Sequence, residues 1–591
     1  MKKKKALIKD STSWLVITIS ILFVAIIPLL IRITAVTYPM DQFSWYPNET
    51  QFYDIYALIK SNAILIIGIV SLFTFAFRQY KYKSLIIRDP IVIITIIFAL
   101  TIIVSHITSI NPLVSSRGYL ERYESTWVWL SYLSTFLLIY SFSWKEEQLK
   151  LFIKAFVISN VILSTIGIFQ YFGIDLVLNN FTRSFITALN MSNVDFTTEY
   201  AINYKVIVQT LYHYNYVGFY ISLSFPIILS LFIKEQSIKL KLFYGVLSAS
   251  VLLNLLGSSA RGGLVGIAAA IPFIIFFNRK TLFKNLKLSI SVVLILIIVF
   301  IGFESYSDNF VTKRLTSIFT SVSAPELISN IEIHDDTIAI DLNGNIFEIE
   351  IVTHENSLWQ MNYRFNGSEI SETEFNNREH VVFKEPELKQ VSNYIVKMDD
   401  GTELIAFDLY GSTWYFGYDN NELRYMNPFG NFDKLQKADS IGFEDKERLG
   451  SSRGYIWSRS IPLIIDKPFI GYGPDTFALA FPQYDYVGKF KAYNTNNMIV
   501  DKAHNMYINI AINCGLIALI SYLALFSMFV IYTFKYSKLN NEYTRFITTM
   551  IFVSLISYSV ASIFNDSSVL VSPVYWGFLG IGLSLASRKA E

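Results

Sequence analysis

The chain has 591 residues, of which 52% are hydrophobic and 16% charged, and its formal net charge is +2. Soluble domains carry roughly a quarter charged residues, so this composition excludes an ordinary soluble protein and indicates a membrane one. A charge this near zero excludes an electrostatic nucleic-acid partner, and the single cysteine, Cys514, excludes a disulfide framework and a cysteine-based zinc site.

The N-terminus, "MKKKKALIKDSTSWLVITISILFVAIIPLLIRIT", starts with the basic residues of a secretory signal. Its apolar run is too long for a signal core and no small-residue cleavage site follows, so it reads as a retained first span. Apolar runs of about 17 to 25 residues suffice to cross a bilayer. They fall near 14–33, 55–77, 91–109, 125–143, 151–172, 213–233, 242–257, 263–278, 287–303, 506–533, 546–563 and 570–586. The pattern predicts about twelve spans, of which the pair around Arg261 are the shortest.

Lys2 to Lys5 place the N-terminus in the cytoplasm. Alternate loops should then be basic, and they are: "RQYKYKSLIIRD", "KEEQLK", "KEQSIKLK", "NRKTLFKNLK", "KYSKLNNEYTR" and the tail "SRKAE". The intervening loops, such as "YPMDQFSWYPNETQFYD" and "NDSSVLVSP", are poor in lysine. Both termini are expected inside, with the loop "SSARGG" outside.

Between spans nine and ten, residues 304–505 form a long outer segment. "IEIHDDTIAIDLNGNIFEIEIV" alternates apolar and polar residues around an Asn-Gly turn, the pattern of a β-hairpin. "NYIVKMDDGTELIAFDLYGSTWYFGYDNNELRYMN" continues it, predicting a small antiparallel β domain over about 325–430. Residues 450–505 lose the alternation and are rich in Gly, Pro, Tyr and Asn. The expected fold is an all-α polytopic membrane protein with an extracytoplasmic β domain inserted between spans nine and ten: membrane parts 1–303 and 506–591, outer loop 304–505.

Three arginines stand at outer span ends, against the positive-inside bias: Arg261 in "SSARGG", Arg453 in "LGSSRGYIW" and Arg122 in "SSRGYLERYESTWVWL". The planar guanidinium fork suits phosphate oxygens. Gly262 and Gly263 permit close backbone approach, and the helix N-terminus after them favours an anion. The competing reading is that each arginine anchors its helix among lipid phosphates. His504 stands just before the tenth span and can accept a proton near neutral pH. Asp501 could fix its tautomer if a helical turn reaches back that far; the competing reading is an interfacial histidine bonded to a neighbour. The sequence contains no metal-ligand constellation, P-loop or dinucleotide motif.

In order, "SSARGGLVGI", "SSRGYIWSRSIPLIIDKPFIGYGPDTF" and "KAHNMYINIAINCGLIAL" resemble the O-antigen ligase and polymerase superfamily of bacterial membrane glycosyltransferases. The matching positions are Arg261; Arg453 and Trp457; Pro468, Gly471, Gly473 and Phe477; and His504, Asn505 and Gly515. "NPLVSSRGYLERYESTWVWLSYL" resembles the family's fourth-span mouth, and "LYHYNYVGFYISLSFPIIL" its Asn-containing sixth span, although Ser125 replaces a common glycine. The resemblance implies a GT-C-like fold and a multi-pass protein of the bacterial cytoplasmic (inner) membrane with its site on the outer face. It further implies no cofactor or metal, a polyprenyl-diphosphate-linked glycan donor and an acceptor that is a glycan, lipid or protein. Arg261 and Arg453 would hold the diphosphate and His504 would activate the acceptor hydroxyl. Arg122, Asn215, Trp457, Tyr472, Asp501 and Asn505 would contribute to substrate binding. The alternative is a multi-span glycolipid transporter or flippase, but transporters usually show paired repeats and mid-span charges, which are scarce here. Ligase and polymerase remain equally open.

Overall fold

The computed structural model describes residues 12–38, 40, 42–47, 51–82, 88–187, 206–284, 328–353, 359–370, 373–375, 380–444, 446–536 and 541–587, with scattered positions between 286 and 313. In chain order its elements are α1 (Ser13–Ile21, extended by a π turn and a 3-10 turn to Leu29), β1 (Thr34–Thr37), β2 (Gln51–Asp54), α2 (Ala57–Tyr82), α3 (Pro90–Ile107), α4 (Pro112–Arg117), α5 (Thr126–Ser141), α6 (Glu146–Tyr171), α7 (Asn180–Ile186), α8 (Tyr214–Lys234), α9 (Ile238–Ser258) and α10 (Arg261–Lys284). The strands β3 (Asn330–His334), β4 (Thr337–Leu342), β5 (Asn345–Thr353), β6 (Gln360–Phe365), β7 (Ser368–Glu369), β8 (Thr373–Phe375), β9 (Val381–Phe383), β10 (Val391–Lys397), β11 (Glu403–Leu409), β12 (Ser412–Asp419), β13 (Glu422–Met426) and β14 (Phe432–Asp433) come next. They are followed by α11 (Leu449–Asp466), α12 (Phe477–Ala480), α13 (Tyr486–Tyr493), α14 (Met506–Tyr536), α15 (Glu542–Ala561) and α16 (Ser572–Ser587).

Eight of the described helices are long and apolar enough to cross a membrane: α2, α3, α6, α8, α9, α10, α14 and α15. The expected spans at 14–33, 125–143 and 570–586 are shorter helices, and α5 and α16 have 16 residues each. At 1.5 Å per residue these reach about 24 Å, below a hydrocarbon core of about 30 Å. They lie in the interior of the bundle: Trp576 of α16 packs against Phe98, Trp129, Phe136 and Tyr522. The ninth expected span, 287–303, lies almost wholly outside the described residues. The pair around Arg261 is longer than its apolar runs, 21 and 24 residues, because Lys239, Lys241, Arg279 and Lys280 continue the helices at their basic ends. Long cationic side chains can lie along such a helix and place their charge in water.

Small residues set how closely the helices meet. A Cβ on Gly263 would lie 2.5 Å from the Gly218 carbonyl oxygen of α8, and one on Gly266 would lie 2.5 Å from the Ser557 carbonyl oxygen of α15. The α8–α10–α15 cluster is therefore a small-residue contact, the way helices gain dispersion energy where burial from water supplies none.

The β region is two antiparallel meanders, a five-stranded sheet β3-β4-β5-β6-β7 and a seven-stranded sheet β14-β13-β12-β11-β10-β9-β8. Leu342 pairs with Asn345 across the Asn343-Gly344 turn, and both turn residues have positive φ (55° and 88°), the type I′ geometry that asparagine and glycine favour. The inward residues of both sheets, including Ile340, Ile349, Phe407 and Phe416, share one buried core. Tyr486 and Val487 of α13 belong to that core, with Tyr486 5.0 Å from Tyr425 ring to ring. The sheets are thus packed onto the segment that leads back to the membrane.

Candidate functional site

Several helix ends that are distant in sequence meet at one end of the bundle. The Met506 amide at the start of α14 donates to Ser562 at the end of α15 (2.9 Å). Ala260, joining α9 to α10, packs on Gly218 in the first turns of α8. Ser567, between α15 and α16, donates to Glu124 at the mouth of α5 (2.7 Å).

Arg453 follows a left-handed turn. Gly450, Ser451 and Ser452 have φ of 65°, 64° and 66° inside what is otherwise the start of α11. For the two serines this costs roughly 1–2 kcal/mol each, and the surroundings hold them there: Ser452 Oγ donates to the Ala492 carbonyl at 2.7 Å. The turn serves both arginines. Arg453 Nη1 donates to the Gly450 carbonyl (2.6 Å) and Nη2 to the Phe564 carbonyl (3.2 Å), while Arg261 Nη1 reaches Ser451 Oγ at 3.4 Å. Burial lowers the proton affinity of Arg453 and Arg261 lowers it further, against Asp566. Two guanidinium groups are thus gathered against their mutual repulsion, as a site for an anion requires.

The close approach that Gly262 and Gly263 permit is made to protein and not, as the sequence suggests, to a ligand. A Cβ at Gly262 would lie 2.6 Å from Asn565 Nδ2, and Gly263 faces Gly218, so both positions are filled by protein.

His504 is left-handed (φ 50°), and the residues before it are not helical. Asp501 therefore does not orient it through a helical turn. Asp501 instead pairs with Lys502 at 3.0 Å, and the carboxylate nearest His504 is Asp566, whose Oδ2 lies 3.5 Å from Nδ1. Asp566 is 2% exposed. Burial raises its carboxyl to about 6, while Arg122, Lys502 and Arg453 pull it down. Burial holds His504 well below the usual imidazole range, and Lys502 and Arg453 depress it further, so the ring is neutral at pH 7. Burial would raise the Asp501 carboxyl, but Lys502, His504 and Arg122 outweigh it and leave it below its ordinary value.

The neighbours fix His504 through the backbone. Trp457 Nε1 donates to the Ala503 carbonyl (2.9 Å), and Asn505 Oδ1 accepts the Tyr507 and Ile508 amides (3.0 and 3.2 Å), capping α14. Asn215 lies in the first turn of α8, its amide donating to His213 Nδ1 at 3.2 Å. His213 is close enough to add to the depression of His504.

Arg122 is bound from within. Its Nε donates to Asp475 Oδ1 (2.8 Å), both side chains are almost fully buried, and Asp475 Oδ2 also accepts the Tyr119 and Glu124 amides (2.6 and 3.1 Å). Ser125, at the position where the resemblance departs, caps α5 by accepting the Val128 amide. Tyr472 donates to Asp466 (2.7 Å) under Lys467, contacts that do not include the arginines.

The Pro-x-x-Gly-x-Gly element docks on a break in α14. Gly515 has φ 83° and ψ 170°, which frees the carbonyls of Ile512 and Asn513 and the Leu516 amide. Tyr472 and Gly473 amides donate to those carbonyls (2.9 Å each), and Leu516 donates to the Pro468 carbonyl (2.7 Å). Non-helical backbone at membrane depth persists only where protein satisfies it in this way. Asp566, Asp475 and Lys502 escaped the sequence reading; the one signal for Asp566 was a carboxylate at the mouth of two spans in the lysine-poor loop "NDSSVLVSP".

No curated protein and no solved structure matches the chain. Residues 425–523, from β13 into α14, match the model of the family described as O-antigen ligase, a stretch that carries Arg453, Trp457 and His504. The match covers this stretch of the chain and supports its similarity to the O-antigen ligase and polymerase superfamily.

Proposed function

We propose that the protein transfers a glycan from a polyprenyl diphosphate to an acceptor hydroxyl on the outer face of the bacterial cytoplasmic membrane, with both termini in the cytoplasm. The observation that carries this reading is the gathering of Arg261 and Arg453 on one left-handed turn, with His504 nearby and backed by a buried carboxylate. The family match supports the same chemistry of glycosyl transfer.

In this mechanism the bond between the sugar's anomeric carbon and the donor phosphate oxygen breaks, and a bond from the acceptor oxygen to that carbon forms. With Nδ1–H directed at Asp566, the lone pair of His504 Nε2 takes the acceptor proton. The diphosphate leaves with the bonding electrons, and Arg261 and Arg453 stabilise the charge that grows on it. Asp475 holds Arg122 and so shapes the mouth of α5, while Trp457 and Asn505 position the backbone around His504. Asn215 and Asp501 line the approach to it, and Tyr472 steadies the loop docked on α14.

The size profile of lipid-linked glycan in cells lacking the protein tests this reading. Accumulated single repeats identify a polymerase, and accumulated long chains a ligase; an unchanged lipid-linked pool would refute transfer. The pH profile is a second test. A base must be neutral, and the depressed His504 stays neutral through pH 6 to 7, so transfer should be flat there and fall only at lower pH. Lys502→Gln removes a cation that depresses His504, so the acid limb should move to higher pH. A wild-type limb centred above about 6.5, the unperturbed imidazole value, contradicts the assignment.

A further inference from the structure

The two β sheets meet the membrane part at a cleft of about 970 Å³, a size in the range of small-ligand clefts. Its walls come from the β3–β4 turn, the β12–β13 turn and the stretch 432–436. Ser44, in the loop between β1 and β2, closes one side, its carbonyl accepting the Asn427 and Asn431 side-chain amides (2.8 and 2.9 Å). Most of the charge in the cleft is already matched. Arg424 donates to Glu422 (2.6 Å) and to Asp419 (2.9 Å), and Asp336 accepts the Tyr418 hydroxyl (2.6 Å). Buried Asp433 accepts the Tyr486 hydroxyl (2.6 Å), the Asn427 amide (3.1 Å) and the Lys434 backbone amide (2.9 Å). A second set of lining groups has no protein partner among the described residues: the Asp335 carboxylate, the Lys434 ammonium, the Asn421 and Gln436 side-chain amides and the Tyr484 hydroxyl.

We infer that this cleft binds an uncharged stretch of glycan, as a second subsite for the chain whose transfer is proposed above; that role rests on the transfer reading. The uncommitted groups suit sugar hydroxyls. Carboxylate and amide groups each present two polar atoms in one plane, which neighbouring hydroxyls can bond together. Phe432 and Tyr484, both half-buried, supply apolar ring surface for the C–H groups of a sugar, and the Tyr484 hydroxyl adds a polar end. Charge excludes the other occupants. The lining carboxylates Asp335, Asp336, Glu422 and Asp433 outnumber Arg424 and Lys434, which disfavours a phosphate or an acidic glycan. A basic peptide would find one uncommitted carboxylate, Asp335, offset by Lys434 in the same cleft. The cleft is also linked to the arginine turn. The Tyr484 carbonyl accepts the Gln436 amide (3.2 Å), and α13 starts two residues later. The far end of α13 holds the turn before Arg453: Arg448 Nε donates to the Lys491 carbonyl (2.7 Å) and Ser452 to the Ala492 carbonyl (2.7 Å). That helix is roughly 12 Å long, a gap that a short stretch of glycan spans.

The probe is glycan released by mild acid from the lipid-linked pool of cells that make the protein, labelled at its reducing end and separated by charge. The full-length protein in detergent should retain the neutral fraction in preference to acidic oligosaccharide of the same length. Asp335→Gly combined with Gln436→Ala should weaken retention about tenfold, the loss expected from two hydrogen bonds to an uncharged ligand. Glycine keeps the left-handed backbone at Asp335 (φ 49°), so thermal unfolding should match the wild type. Asp399→Gly, exposed in the β10–β11 turn and outside the cleft, should change neither. His504→Ala should retain glycan like the wild type while losing transfer. Normal transfer by His504→Ala would overturn the transfer reading and leave the retention result standing. A pool without neutral glycan, equal or greater retention of acidic oligosaccharide, or undiminished retention by the double variant would overturn the inference. So would an equal loss in Asp399→Gly, or a loss that comes only with a lowered unfolding temperature.

Discussion

Arg453→Lys should lower glycan transfer by at least about 10²-fold, although the charge is kept, as expected where a fixed donor set meets charge developing in a transition state. Two nitrogens of the fork are committed to the Gly450 and Phe564 carbonyls, which fixes the plane of the guanidinium. Its buried Nε has no protein partner, so the fork keeps a donor that the fold does not use. Lysine offers one ammonium on a flexible stem and cannot bond both carbonyls while presenting a further donor in a set direction. Arg261→Lys should behave similarly. The double variant should be much less than twice as impaired in free energy, since both arginines act on one leaving group. Transfer by purified protein in vesicles, with thermal unfolding as a control, measures this. Activity of Arg453→Lys within threefold of wild type would remove Arg453 from the diphosphate site.

Gly515→Ala should be the most destabilising single-methyl change in α14. The added Cβ would lie 2.1 Å from the Phe469 carbonyl oxygen and 2.5 Å from the Ile470 amide nitrogen, and φ is 83°. Neither backbone atom can move without breaking the bonds between the Pro468–Gly473 loop and α14. The expected cost exceeds about 4 kcal/mol, the range reached when steric overlap and backbone strain combine. Gly344→Ala is the control: its φ is 88°, but nothing lies within 4 Å of the new Cβ. It should cost only about 1–2 kcal/mol of conformational strain. The fraction of protein that survives heating in detergent, compared between the two variants, reads the difference. Similar survival would mean that the break in α14 is not held by the loop.

Much of the architecture was legible because it rests on local periodicity. An apolar run declares a helix in lipid whatever it later touches, and the α6, α8 and α14 helices lie where such runs occur. Period-2 alternation around Asn343-Gly344 declares a hairpin, because the turn type fixes the register. Helix ends were less legible: α9 and α10 run past their apolar segments, since lysine and arginine stems continue a helix that hydropathy alone would stop. The short α5 and α16 have the hydropathy of the longer helices although protein surrounds them, because hydropathy records apolarity and not whether lipid or protein supplies it.

For the site, the sequence by itself determined the cations. Arg261, Arg453 and His504 stand at helix mouths where the topology rule makes basic residues unusual, and that anomaly is visible in one dimension. The tertiary structure decided their partners. Asp501 is three residues from His504 yet turns to Lys502, while Asp566, from the loop after α15, takes the imidazole's side. Arg122 is held by Asp475 from the far end of the outer segment. In a low-dielectric interior a charge must be matched by whatever packing brings within a few ångströms. That proximity is set by which helix ends converge, and spacing along the chain does not encode it.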